Sequence, residues 1–300
     1  MASYSEENLI NKVTNNLNCL QKILEFNVKH QLLFFRISSD LVPFAAHPIC
    51  KFNWQKYFRN EFCSIGKYIK KHKIRISMHP DQFVLINAIK KDVLRKSIDE
   101  LIYHCTVLDL MELDSAAKIQ IHVGGVYGDK EQSIKRFINQ YAQLPSMIKK
   151  RLVIENDHIA YSIQDCIRIN HEIGIPVVFD LLHHECYNNQ ENVSYAIKLA
   201  AATWRKNDGC LMIDYSSQKA KAKIGTHAEH INFQHFKRFI DNLIKLNTDF
   251  DIMFEIKDKE KSALRALALL KKLPNFSKHF KENSGIGKND FNLFKVFRNV

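Results

Sequence analysis

The sequence predicts an α/β protein, a TIM-type (β/α)8 barrel that lacks its first strand. Three observations carry this. Short, near-continuous apolar runs alternate with longer amphipathic ones along the chain, the pattern of a parallel sheet covered by helices. Seven strand patterns and eight helical patterns alternate, and the series begins with a helix. No Pro/Gly-rich linker, low-complexity segment or change of composition divides the 300 residues, so they form one domain, and a barrel typically needs about 250. An open doubly wound sheet is the rival, but no Gly-rich phosphate loop follows any strand.

In chain order, a helical pattern over 6–30 comes first and LLFFRIS (32–38) is the first strand. A helix near 53–72 leads to IRISMH (74–79), and a long one near 90–117 to IQIHVGG (119–125). Residues 130–149 read as a helix before LVIEND (152–157), and 162–173 as a helix before PVVFDLL (176–182), with Gly174-Ile175-Pro176 stopping the helix. The pattern closes with a helix near 191–203, LMIDYSS (211–217), a helix near 232–247, DIMFEIK (251–257) and a helix over 259–272. The barrel core is expected over about 6–272, with 273–300 as a C-terminal extension.

Composition narrows the function. The chain is 46% apolar with 20 Phe, enough for a large core, and no apolar run nears the roughly 20 residues that cross a membrane. MASYSEENLINK lacks the basic start and apolar stretch of a signal peptide. Seven scattered cysteines with no CxxC pair argue for reduced thiols in a soluble, intracellular protein, and against a thiolate zinc site. A formal charge of +12 points to a polyanionic partner, nucleic acid before others, with a lysine-rich solvated surface as the alternative.

Barrel enzymes place their chemistry at the C-terminal ends of the strands. Six successive strands end there on His79, His122, Glu155, Asp180 with His183, Asp214 and Glu255. Glu155 follows Val153-Ile154 and Glu255 follows Met253-Phe254, where an unpaired carboxylate would be costly. Imidazoles and carboxylates without thiolates suit manganese, zinc or iron. The ligands exceed one ion's needs, so a multinuclear centre for phosphodiester hydrolysis is the natural use. A hydrogen-bonded core histidine is the alternative for His79 and His122. In HAEH (227–230), His227 reads as a ligand while His230 stays open, and His184 is a supporting or a surface residue. The histidines at 30, 72, 104, 171, 235 and 279 read as ordinary.

FFRISSDLVPFAAHP, SMHPDQF, HVGGVYGDK, IENDH, VVFDLLHH, GTHAEH and DIMFEIKDKE, which run from residue 34 to residue 260, together resemble the UV-damage endonucleases, and the resemblance covers about residues 17–260. That family is a metal-dependent branch of the barrel superfamily that includes abasic-site endonucleases and sugar isomerases. The resemblance implies nicking of DNA immediately 5′ to a cyclobutane dimer or (6-4) photoproduct, leaving a 3′-hydroxyl. It further implies that His79, His122 and Glu155 hold one metal, that Glu155 bridges to a second completed by Asp180 and Glu255, and that His183 and His227 hold a third. Glu155, Asp180 and Glu255 then serve catalysis, and His47, in FAAHP, matches a family active-site histidine. Gln82-Phe83 corresponds to a pair, usually Gln-Tyr, that the family inserts at the lesion, and phenylalanine keeps the aromatic wedge without the hydroxyl.

The chain departs from the family in two places. It has no equivalent of the opening strand with a Gly-Tyr and a nearby Asn, and it has Met212-Ile213-Asp214 where the family reads Lys-x-His. A carboxylate at 214 favours manganese or magnesium over zinc. The missing strand is expected to leave the edges of 32–38 and 251–257 unpartnered. Either the edges draw together or close imperfectly, or the sequence starts downstream of a true N-terminus. The expectation is a monomeric DNA-repair endonuclease acting on damaged double-stranded DNA, without a membrane partner, using two or three divalent ions, manganese foremost. The alternatives are an abasic-site endonuclease or sugar isomerase on the same barrel, and a damaged-DNA-binding protein that has lost cleavage.

Overall fold

Helix α1 (Glu6–Lys29) precedes every strand described. Ser5 caps it by accepting from Asn8 N at 3.1 Å, and Leu9, Val13, Leu17, Leu20 and Leu24, spaced three or four apart, bury one face. The computed structural model describes residues 4–246, 248–272 and 295–298, the last four by backbone alone.

Eight parallel strands form a closed ring: β1 (Phe34–Ile37), β2 (Arg75–Met78), β3 (Lys118–His122), β4 (Leu152–Glu155), β5 (Val177–Asp180), β6 (Leu211–Tyr215), β7 (Phe250–Phe254) and β8 (Lys295–Arg298). The barrel and the seven expected strands are present, and the TIM-barrel class holds. Where the sequence leaves a gap, β8 pairs with β7 from Asp251↔Lys295 to Phe254↔Arg298 and with β1 at Phe35↔Arg298. The segment read as an extension therefore carries a barrel strand, and the two edges expected to lie open are bridged. The rest of that extension, His279 included, lies outside the described residues.

The helices are α2 (Trp54–Tyr57), α3 (Arg59–Lys71), α4 (Lys91–Leu110), α5 (Lys130–Ala142), α6 (Ser146–Arg151), α7 (Ile163–Ile173), α8 (Leu181–Cys186), α9 (Val193–Ala201), α10 (Phe233–Ile244) and α11 (Glu260–Lys272). Residues expected as one helix over 130–149 are two, because Pro145, at ψ 144°, breaks the run. A Ser162–Asp165 capping box starts α7, and Gly174 ends it at φ 68°. The short helix α8 was not expected. Asp180 starts it by accepting from His183 N at 2.7 Å, so the last residue of β5 is also a helix cap. Among the described residues no helix is long and apolar enough to cross a membrane.

The two-residue period of a strand puts Arg75, Ser77 and His79 on one face, as it does Lys118, Gln120 and His122, or Asp251, Met253 and Glu255. That face is the lumen. Arg75 reaches from β2 to Asp251 on β7 at 2.7 Å, and Arg36 on β1 reaches Gln120 on β3 and Asp214 on β6. Such pairs join strands that are not neighbours in the ring. The intervening Ile119, Ile121, Ile154, Ile213 and Ile252 are fully or almost fully buried and face the helices.

Candidate metal centre at the open end of the barrel

At the C-terminal end of the lumen the expected ligands converge. Glu155 is the hub, with Oε1 at 2.8 Å from His79 Nε2 and 3.3 Å from His122 Nε2, while Oε2 accepts from Gln120 Nε2 at 2.7 Å. Three sets of side chains lie close enough to share a metal ion: His79, His122 and Glu155; Glu155, Asp180 and His183; and Asp180, Asp214 and Glu255. Glu155 and Asp180 each belong to two sets, the arrangement a bridging carboxylate needs. His227 stands at the edge, its Nε2 3.7 Å from Glu255 Oε2.

The imidazoles are aimed. His79 Nδ1 lies 3.0 Å from Pro80 O, His183 Nδ1 3.0 Å from Asn156 O, and His227 Nδ1 2.7 Å from Glu255 O. A carbonyl can only accept, so each Nδ1 carries a proton; Nε2 of His79 faces Glu155 and Nε2 of His227 faces Glu255, while His183 Nδ1 also lies 3.4 Å from Asp180 Oδ2. Anchoring one ring nitrogen in this way is how proteins fix a metal-binding histidine. Imidazole nitrogens and shared carboxylate oxygens gathered in three sets, with His122 Nδ1 buried and without a hydrogen-bond partner, make a donor set that fits divalent cations.

Electrostatics point the same way. Burial works against ionised Glu155, yet His122 and His79 hold its carboxyl well below the ordinary range. Burial, joined by Glu255, Asp214 and Glu155, pushes Asp180 well above it despite His183. His183 is raised to about 9 because Asp180, Glu155 and Glu255 outweigh its burial. Crowded anions that draw protons onto their neighbours form a site that favours positive charge.

Sequence reasoning missed the cation already built in. Arg36 Nη2 donates to both Asp214 oxygens at 2.8 and 2.9 Å and to Gln120 Oε1 at 2.9 Å, and Nη1 pairs with Glu255. Gln120 Nε2 adds a bond to Asp214 Oδ2 at 2.5 Å. Asp214 is thus in the cluster but engaged by a guanidinium. Its carboxyl is raised to about 6 because burial exceeds the help from Arg36. Glu255 is held at about 2, since Arg36 and His227 outweigh its burial. The available signal was the alternation Lys118-Gln120-His122 and the lone arginine within FFRIS. His158 was also passed over, and its ring stacks on His183 at 5.2 Å and 27°.

The remaining candidates fall outside the three ligand sets. His47 is exposed in the loop after β1, its Nδ1 accepting from Ile49 N at 3.1 Å, beside a groove of about 550 Å³ shared with Phe83 and Tyr103. Gln82 is exposed and Phe83 is 75% exposed at the tip of the loop after β2, so Phe83 is not a buried loop aromatic. His184 is buried with Nε2 3.2 Å from Glu191 O, and His230 pairs with Asp258 at 2.9 Å. Phe44, Ile89, Tyr127, Ile159 and Ile224 are also exposed on loops that follow strands, so apolar side chains ring the mouth of the site.

Comparison with known proteins places this geometry. The family described as UV-endonuclease UvdE matches residues 2–286. A UV DNA damage endonuclease of Clostridium perfringens is 40% identical over 278 residues, which cover 91% of this chain and 66% of that protein. The crystal structure of SacUVDE superposes with a TM-score of 0.86 at 46% identity, covering 91% of each chain. Endonuclease IV from Thermus thermophilus shares the fold alone, with a TM-score of 0.56 at 15% identity over 88% of this chain and 94% of that one. The chain, a closed barrel with a carboxylate–imidazole cluster at its open end, belongs to the UV-endonuclease UvdE family.

Proposed function

We propose that this chain is a divalent-metal-dependent endonuclease that hydrolyses one phosphodiester bond of duplex DNA on the 5′ side of a UV photolesion. The observation that carries the reading is the convergence of His79, His122 and Glu155, of Glu155, Asp180 and His183, and of Asp180, Asp214 and Glu255 into sets that share carboxylates, with the imidazoles at 79, 183 and 227 each anchored through Nδ1 to a backbone carbonyl. The names of the relatives supply the substrate class.

His79, His122 and Glu155 would hold one ion, with Glu155, Asp180 and His183, and Glu255 with His227, holding the rest of a centre of two or three, manganese foremost. Bound there, such ions supply a water of lowered pKa and neutralise the charge of the phosphoryl group. Gln120 fixes Glu155, Asn156 O fixes His183, and Arg36 neutralises Asp214 and one oxygen of Glu255. Exposed Phe83, with Gln82 beside it, suits insertion into a weakened base stack, and His47 lines the adjacent groove. The +12 charge offsets the repulsion that a carboxylate-rich centre exerts on a polyanion.

The test is a nicking assay on UV-irradiated, abasic and undamaged duplexes, with manganese and with a chelator. The expected result is a metal-dependent nick 5′ to photoproducts. Equal cutting of undamaged DNA, or undiminished cutting under chelation, would defeat the proposal.

A further inference from the structure

The loop between β6 and α10 reads Gln218-Lys219-Ala220-Lys221-Ala222-Lys223-Ile224-Gly225-Thr226-His227. It is a built structure and not a solvated lysine run. Gln218 and His227 form an antiparallel bridge, and Lys219 N donates to Thr226 O at 2.8 Å. The Gln218 side chain fills the middle, donating to Lys219 O and Lys223 O at 3.0 Å each and accepting from Gly225 N at 2.8 Å.

The loop is seated on the metal centre at two points. Gly225, at φ +82°, lies against His158 so closely that a Cβ there would meet the ring at 2.4 Å. That ring stacks on His183. At the loop's end, His227 bonds to Glu255 O. Lys219 is engaged by Glu229 at 2.6 Å, but Lys221 and Lys223 are exposed and make no ion pair among the described residues. Beside them Ile224 is 66% exposed. Ile159, 65% exposed, stands on the loop after β4, where Asp157 Oδ1 accepts from Ile159 N at 2.8 Å and from Ala160 N at 2.5 Å.

Two unpaired ammonium groups on a preorganised loop, flanked by exposed aliphatic side chains, match a phosphate backbone and the sugar edge beside it. The ring order fixes where this happens. In an eight-stranded ring β6 is diametrically opposite β2, whose loop carries Gln82 and Phe83. We infer that the 218–227 loop is a phosphate-gripping arm that holds the DNA backbone across the metal centre from the Phe83 loop, with Lys221 and Lys223 each neutralising one phosphate. This rests on the proposed action on DNA. The two loops then divide the labour: Phe83 reads the lesion, and the arm fixes the duplex without reading sequence.

The test measures binding of the whole chain to an undamaged and to a thymine-dimer duplex over a range of salt, with wild type, Lys221→Ala/Lys223→Ala and Phe83→Ala. Each phosphate contact contributes roughly 0.9 to the slope of log K against log salt. The double lysine variant should lower the slope by about 1.8. It should weaken both duplexes by the same factor and leave metal content and Tm unchanged. Phe83→Ala should leave the slope intact and reduce the preference for the damaged duplex. An unchanged slope in the lysine variant would overturn the arm while leaving the endonuclease reading intact. A wild-type chain that binds neither duplex would overturn both.

Discussion

Replacing Arg36 by Met keeps an unbranched apolar stem and deletes the only guanidinium that touches the carboxylate cluster among the described residues. Glu155, Asp180, Asp214 and Glu255 then face one another without it, with Asp214 fully buried and Arg36 itself only 6% exposed. Asp214 titrates at about 6 with Arg36 in place, so at about pH 7.5 it is ionised. Deprived of its partner it escapes by taking a proton, some 1.5 pH units above that value, at a cost of about 2 kcal/mol. Glu255, held at about 2 largely by Arg36, forfeits roughly 3 kcal/mol if its carboxyl returns to the ordinary range. The sum, about 5 kcal/mol, meets the upper end of the roughly 3–5 kcal/mol lost when one partner of a buried ion pair is removed.

The assay is urea unfolding of chelated protein at about pH 7.5. Arg36→Met should lower the midpoint without changing the slope of ΔG against denaturant. Added manganese should recover part of the loss, because a cation can take over the neutralising role. Arg36→Met/Asp214→Leu should also recover part, since it removes the stranded charge. A loss under about 1 kcal/mol in the chelated single variant would refute the reasoning, because a surface pair contributes that little.

Glu155→Gln should leave the melting profile folded, cut metal affinity by more than about 100-fold, beyond what a lost supporting hydrogen bond costs, and abolish nicking; full metal content by elemental analysis would show that Glu155 is not a ligand. His104 is buried, with Nδ1 bonded to Glu100 O at 2.7 Å, and burial depresses it from 6.5 to about 4, so the fold keeps it neutral. Its contribution is complete above about pH 6.5 and is lost as the pH falls towards about 4, roughly 3 kcal/mol in all. His104→Leu should flatten that part of the stability–pH curve, and an unaltered curve would show that His104 does not drive it. Deleting the residues after Lys272 removes the strand paired with β7 at four positions, which at about 1 kcal/mol per hydrogen bond should lower stability by roughly 2–4 kcal/mol and promote self-association through the bared edges. Light scattering and urea midpoints check this, and an unchanged midpoint with an unchanged oligomeric state would show that β8 closes nothing.

How much of this was legible beforehand follows from the range of each interaction. Seven strands of the barrel and the residues that cluster at their ends were readable because each is local: an apolar run, then one ionisable residue at its end. His79, His122, Glu155, Asp180 and Glu255 needed nothing else. Arg36 stood out within FFRIS, but its pairing was invisible because Asp214 lies 178 residues away, and only ring closure brings them together. The carbonyls of Pro80, Asn156 and Glu255 that aim the imidazoles left no trace, since every residue type carries one. The strand β8 was read as a tail because parallel pairing is not local and four residues are too short for a period to show. Asp180 doubling as a cap was within reach, for an aspartate three residues before His183 at the end of a strand is an N-cap pattern.

The same layers say where cations belong. Low in the lumen the charges are matched, Arg75 with Asp251 and Lys118 with Asp208, and such pairs ask for nothing further. Only at the open end do four carboxylates meet a single guanidinium, which leaves a net charge of −3 if the imidazoles are neutral ligands. Two divalent ions would convert this to +1, which one phosphodiester anion would balance. Three ions would leave +3, an excess the anionic backbone could offset only with charge from neighbouring phosphates. Arg36 therefore supplies part of the positive charge that these carboxylates call for, and Asp214 suits it, because a carboxylate, unlike an imidazole, can be held by a guanidinium through both of its oxygens.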